Sequence, residues 1–267
     1  MREKLKLRLL SAVVAIAMAL TVSFLGGWYF TVMIAVIVLL AQLEFFRLVR
    51  ATGAAPAMRT TIVTSQGLVL IQQLRPEWAG LCFTLAGTCI CFYLLFKPKV
   101  ATINDIATSI LGLFYCAYLP SFWILVRAHS NGLKLGLMAF ACIWAADIGA
   151  YFMGKQFGKT QLSIISPKKT VEGSIAGIVG SVAIATVGAW WLDWYGWPWT
   201  GIALGLLIGI TGLLGDLTES LMKRNAGVKD SGDLIPGHGG ILDRGDSYVF
   251  TAPLVFFFVE LFQVVGR

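Results

Sequence analysis

Residues Gly215–Ser247 read GDLTESLMKRNAGVKDSGDLIPGHGGILDRGDS. Six of the chain's 14 acidic residues fall here: Asp216, Glu219, Asp230, Asp233, Asp243 and Asp246. Lys223, Arg224, Lys229, Arg244 and one of the two histidines, His238, lie among them. Long apolar runs flank the stretch on both sides. A dense loop of both signs between such runs is expected to bind something charged, here magnesium and phosphate groups, at the face of a membrane-embedded bundle.

Working outward, the 267 residues are 57% hydrophobic and only 13% charged, against about 25% charged in a soluble domain. That excess implies an all-α, polytopic membrane protein. Apolar segments of roughly 20 residues suggest about nine spans. They are 7–25, 28–48, 61–74, 78–96, 106–126, 135–153, 171–192, 201–222 and 247–264. The third is short and holds Gln66, Gln72 and Gln73. We expect one continuous bundle, with 1–100 as N-terminal helices and 101–267 as the catalytic helices. MREKLKLR before the first run resembles a signal peptide, but no convincing small-residue cleavage site follows, so it is read as a retained helix. Cys82, Cys89, Cys91, Cys116 and Cys142 sit in apolar runs without metal-ligand spacing and are read as small buried hydrophobes.

Charge sets the orientation. With the N-terminus in the cytoplasm and nine alternating helices, 17 of the 21 basic residues fall inside. Only Arg75, Arg127, Lys134 and Arg267 fall outside. This is the bias of the positive-inside rule. It collapses if 61–74 does not cross. The net charge of +7 therefore speaks for orientation in a bilayer, not for nucleic acid. Glycines recur in 173–180 and 201–212, where small residues let helix backbones approach closely.

Both polar clusters land on the cytoplasmic side. In SPKKTVEGS, 166–174, Ser166-Pro167 signals a turn into a helix. Lys168, Lys169 and Thr170 are expected in its first turn, where free N–H groups and the dipole favour phosphate. Glu172 could pair with a lysine or bind a cation. Asp147 sits deep in an apolar run, which marks a ligand to a metal or substrate hydroxyl, or a buried ion pair. Glu44 is expected to pair with Arg47 one turn away. Asp216 and Glu219 share a helix face at i and i+3, continued by Ser220 and Lys223. Asp243 and Asp246 repeat that spacing. Paired carboxylates suit magnesium, which shares its shell with substrate phosphates. The loop Pro236–Gly240 lets backbone amides approach an anion, and His238 could donate to a phosphate. Such a two-sign array is what phosphoryl or nucleotidyl transfer requires.

The run Ser220–Asp246 resembles the signature of phosphatidate cytidylyltransferases, or CDP-diacylglycerol synthases. It carries Ser220, Lys223, Arg224, Lys229, Asp230, Pro236, His238, Gly239, Gly240, Asp243, Arg244 and Asp246 at the signature positions. Gly215-Asp216, Glu219, the SPKKTVEG run and Asp147 with Tyr151 and Gly154 are also similar to that family. The resemblance covers the chain from about Trp144 onward. It implies CMP transfer from CTP to phosphatidic acid, dependent on Mg2+, at the cytoplasmic face of the inner membrane. It implies roles too. Asp246 with Asp243, Asp216 or Glu219 would bind the cation, and Asp246, Asp243, Lys223 and Arg244 would form the catalytic set. Lys168, Lys169 and Arg244 would hold the CTP phosphates. Ser220, Lys223, Arg224, Lys229 and His238 would address the lipid phosphate or nucleotide, and Asp147 would line the cavity. Participation of a second, monovalent cation such as K+, and a homodimer, are left open.

Two rival readings make distinct demands. A CTP-dependent polyprenol or lipid kinase attacks with a hydroxyl and so wants a general base. An ion-coupled transporter would place its charges near the bilayer midplane, whereas most charges here cluster at one face.

Overall fold

The structure is a computed structural model that describes residues 16–97, 100–233 and 239–262. Among the described residues the chain is helical without a strand, and one isolated bridge joins Gln161 to Thr170. In chain order the helices are α1 (Ile16–Leu25), α2 (Gly27–Ala51), α3 (Met58–Leu74), α4 (Ala79–Leu95), α5 (Ile103–Leu113), α6 (Leu119–Ala128), α7 (Gly132–Phe157), α8 (Val171–Trp191), α9 (Trp199–Asn225), α10 (Leu242–Val249) and α11 (Thr251–Phe262).

Seven described segments are long and apolar enough to cross a membrane: Gly27–Ala51, Pro76–Leu95, Ile103–Ala128, Gly132–Phe157, Val171–Trp191, Trp199–Asn225 and Leu242–Phe262. This is the construction of a multi-pass membrane protein. Of the other two expected spans, the first lies partly outside the described residues, and α1 is its described end. The other is α3, a helix of 17 residues.

Two spans are less regular than the apolar pattern suggests. α5 joins α6 through a π-helical turn at Phe114–Tyr118, just before Pro120. The proline has no N–H and its ring crowds the carbonyl four residues back, so a wider turn takes up the misfit. Likewise α10 and α11 part at Phe250, where Pro253 cannot bond to Val249.

The chain divides into two units, Met1–Ala128 with Met222–Gly245, and His129–Leu221 with Asp246–Arg267. In the first, polar side chains join α3 to α2. Thr31 donates to Gln73 at 2.7 Å, Gln42 to Ser65 at 2.6 Å, and Gln66 to the Ala35 carbonyl at 3.3 Å. These bonds explain how a glutamine-bearing helix sits among apolar ones. Asp105 closes a capping box with Thr102 at the start of α5 and accepts from Ala55 N at 2.6 Å, fixing the α2–α3 connection. Arg127 donates to the carbonyls of Ser23 and Phe24, capping α1.

In the second unit α8 touches α7 on one side and α9 on the other through glycine. A Cβ on Gly173 or Gly177 would strike the carbonyls of Ala150 or Ala146 on α7. One on Gly201 or Gly205 would strike the α8 backbone at Thr186 or Val182. The glycine periodicity is therefore a packing device, as expected. Lys134 lies 5.2 Å over the Trp191 ring. The five cysteines are free. Cys116 and Cys142 are buried, whereas Cys89 is exposed on its helix, so burial holds for only some of them.

Candidate active site

The candidate residues form two separate polar clusters, one in each unit. The cluster in the second unit is acidic. Asp216 and Glu219 stand one turn apart on α9, and Glu219 is wholly buried. Gly215 admits the α10 backbone, because a Cβ there would strike the Asp246 carbonyl. Asp246 consequently lies in hydrogen-bonding contact with Glu219, and Asp216 and Asp147 are near enough to repel it. Its Oδ1 also accepts from Ser247 N at 2.7 Å. Beside it Tyr248 accepts a 2.6 Å bond from the Trp144 indole, one turn before Asp147 on α7.

Lys169 brings the opposite charge and forms an ion pair with Asp216. Ser220 donates to the other oxygen of Asp216 at 3.3 Å. The lysines do not occupy the first turn of α8 as expected. The helix begins at Val171 with Thr170 as its N-cap, the Thr170 hydroxyl accepting from Gly173 N at 3.2 Å. A β-branched hydroxyl residue caps better than it extends a helix, so the lysines fall in the preceding turn. That turn is held by Leu162 N to the Lys169 carbonyl and Val171 N to the Thr160 carbonyl, each 2.9 Å. Among the described residues Glu172 makes no ion pair with a lysine side chain. Its carboxylate accepts from the backbone N–H groups of Lys159 and Thr160. Lys168 is exposed.

The cluster in the first unit balances its charges internally. Asp243 Oδ1 accepts from Lys223 Nζ at 2.6 Å. Its Oδ2 accepts from Ser231 N, Ser231 Oγ and Gly240 N at 2.8–2.9 Å. Those four donors fill the roughly four lone-pair sites of a carboxylate. Glu44, buried in α2, does not meet Arg47, whose side chain is exposed. Its Oε1 accepts from Ile241 N at 3.0 Å, and its Oε2 from Leu242 N at 2.9 Å and Ser231 Oγ at 3.0 Å. A pairing across nearly two hundred residues satisfied it better than a neighbour one turn away, since backbone N–H groups need no side-chain ordering.

Of the remaining candidates, Arg224 caps its own helix end through the Val228 carbonyl at 3.2 Å. Lys229 and Arg244 are exposed. His238 and the rest of the loop 234–238 lie outside the described residues. Sequence reasoning missed Ser231 and Tyr248 altogether. The GxxxD spacing of Gly239 and Asp243 carried no signal for Ser231, and an aromatic residue after Asp246 reads as ordinary apolar surface.

Among the described residues no group of three or more His, Cys, Asp or Glu forms a ready-made metal cage. The acidic cluster still has the right chemistry for a hard cation. Its donors are all carboxylate oxygens, and a cation or a proton would ease the repulsion among them.

The chain matches the model of the cytidylyltransferase family over residues 6–262. It is 56% identical to a phosphatidate cytidylyltransferase of Synechocystis sp., across 95% of this chain and 96% of that protein. It is 39% identical to phosphatidate cytidylyltransferase 4, chloroplastic, of Arabidopsis thaliana, across 88% of this chain and 68% of that one. A phosphatidate cytidylyltransferase of Staphylococcus haemolyticus is 32% identical across 94% and 97%. With its acidic cluster and lysine turn inside a match of that extent, the chain belongs to the cytidylyltransferase family.

Proposed function

We propose that this enzyme transfers CMP from CTP to phosphatidic acid, giving CDP-diacylglycerol and pyrophosphate. The observation that carries this is the convergence of Asp147, Asp216, Glu219 and Asp246 beside a lysine turn whose Lys169 pairs with Asp216. The relatives' names supply the substrate class. In this reading the chain lies in the cytoplasmic membrane with nine spans, its N-terminus and its site facing the cytoplasm, where CTP is found. The bias of 17 basic residues to 4 supports that orientation.

The reaction needs little acid–base chemistry. An oxygen of the lipid phosphate, ionised at neutral pH, attacks the α-phosphorus of CTP. The bond from that phosphorus to the β-phosphate oxygen breaks, and pyrophosphate leaves with the electron pair. The difficulty is bringing two anions together and stabilising the charge on the leaving group. Lys168, Lys169 and Arg244 would hold the CTP phosphates. Ser220, Lys223, Arg224, Lys229 and His238 would address the lipid phosphate or the nucleotide, and Asp147 would line the cavity.

Asp246, Asp216 and Glu219 would hold Mg2+. Asp243 would bind a cation only by giving up Lys223. Magnesium keeps several waters and takes one or two carboxylates plus substrate phosphates, so a cage completed by substrate fits this donor set. When bound it would neutralise phosphate charge in the transition state. The surplus of carboxylate leaves room for a monovalent cation such as K+.

The test is an incorporation assay with CTP labelled at the α-phosphate, with and without phosphatidic acid and with and without a chelator. Label entering lipid with matching pyrophosphate release, lost on chelation, is expected. Lipid phosphate and CDP as products would point to a kinase instead.

A further inference from the structure

We infer that Glu44, on α2 in the N-terminal half, is a positioning residue of the transferase. It sets Ser231 and the start of α10, and through them Lys223 and Asp243. This rests on the functional reading above. The N-terminal helices had no assigned part in the reaction beyond spanning the bilayer.

Three observations carry the inference. First, the Glu44 carboxylate is 4% exposed and accepts three bonds, all from the signature region: Ile241 N, Leu242 N and Ser231 Oγ. Two of these donors are the N–H groups at the very start of α10, which lack partners within the helix. Glu44 thereby caps a helix that belongs to a distant part of the chain.

Second, the Ser231 hydroxyl stands between two carboxylates, 3.0 Å from Glu44 Oε2 and 2.9 Å from Asp243 Oδ2. It has one proton for two acceptors. Displacing either carboxylate therefore redirects the hydroxyl and loosens the other. Asp243 in turn holds Lys223, so the chain of contacts runs from Glu44 to a signature lysine.

Third, the loop is cut to fit this carboxylate. A Cβ on Gly232 would stand 2.7 Å from Glu44 Oε1, and one on Gly240 would strike both Glu44 Oε2 and Ser231 Oγ. Two glycines enclosing one carboxylate mean that the backbone at 232 and at 240 is fitted to it. A buried acid kept merely for packing would be replaceable by an apolar residue. This one satisfies backbone groups that no apolar residue could.

The test uses purified full-length Glu44→Gln, Glu44→Asp, Ser231→Ala and the double variant Glu44→Gln/Ser231→Ala, with Arg47→Gln as control. Read-outs are kcat, KM for each substrate and melting temperature in detergent. Glu44→Gln turns one acceptor into a donor facing N–H groups. It is expected to lower kcat by about 10- to 100-fold, as loss of an outer-shell partner does, with KM for phosphatidic acid within about twofold. Glu44→Asp should recover part of the loss. Ser231→Ala should lower kcat by about 3- to 10-fold, and the double variant should be no slower than Glu44→Gln alone. Wild-type kcat in folded Glu44→Gln overturns the inference. If Glu44→Gln fails to fold, wild-type kcat in Ser231→Ala overturns it. A wild-type protein that makes no CDP-lipid sinks the functional reading instead, whereas an active wild type with an indifferent Glu44 sinks only this inference.

Discussion

The two polar clusters handle negative charge in opposite ways. Around Glu44 and Asp243, each carboxylate oxygen is supplied with donors by the protein itself: backbone amides, one hydroxyl and Lys223. Around Asp246 the protein gathers Asp216, Glu219 and Asp147 as well and sets Lys169 against Asp216. A carboxylate that comes with its own donors fixes geometry. Carboxylates brought together against their mutual repulsion suit the cation-binding role proposed for them above. Equal acidity in sequence thus conceals two different jobs.

The sharpest way to break this comparison is Asp246→Asn. It is expected to lower Mg2+-dependent CDP-lipid formation by about 1,000-fold. Retained magnesium-dependent turnover would remove Asp246 from the cation site. Asp243→Asn tests the other side. Mg2+ at about 100 times its dissociation constant should stabilise the wild type by about 2.7 kcal/mol, read as a rise in melting temperature. Asp246→Asn should lose that rise. Asp243→Asn should keep it but start from a baseline lower by about 3 kcal/mol, because the half-buried ion pair of Lys223 with that carboxylate is broken. The reverse pattern would exchange the two roles.

Smaller effects sharpen the packing side. Gly177→Val should lower stability by about 1–3 kcal/mol, since its side chain would push into the α7 backbone. Thr170→Ala removes the cap of α8 and should lower stability by about 1 kcal/mol. An unchanged melting temperature would mean, in Gly177→Val, that the helix contact is not as close as described and, in Thr170→Ala, that the cap does not stabilise α8. Arg47→Gln should shift stability by less than about 0.5 kcal/mol, because Glu44 does not depend on it.

Much of this was legible in the sequence, for identifiable reasons. The helices follow from apolar runs, and the α8 contacts follow from glycines at four-residue spacing. The acidic cluster followed from helix periodicity, since Asp216 and Glu219 must share a face. What stayed hidden were partners fixed by the fold. A sequence shows that Glu44 in an apolar helix needs donors, but not that they come from residues 231–242. It shows two lysines before Val171, but not that Thr170 would take the cap and leave them outside the helix. The breaks at Phe114–Tyr118 and Phe250 were marked by Pro120 and Pro253. Hydropathy averages over such prolines without registering the missing N–H.

The bonds between α2 and α3 bear on how the chain is made. Thr31, Gln42 and the Ala35 carbonyl all precede α3, so during synthesis they emerge from the ribosome before Gln73, Ser65 and Gln66, the side chains they bond. As a span of the proposed nine-helix topology, α3 would be poorly suited to leave the insertion machinery by itself, but would meet a polar template already in the membrane. Thr31→Val with Gln42→Leu should therefore reduce the fraction of chains in which α3 integrates, read by glycosylation mapping, while leaving α2 in place.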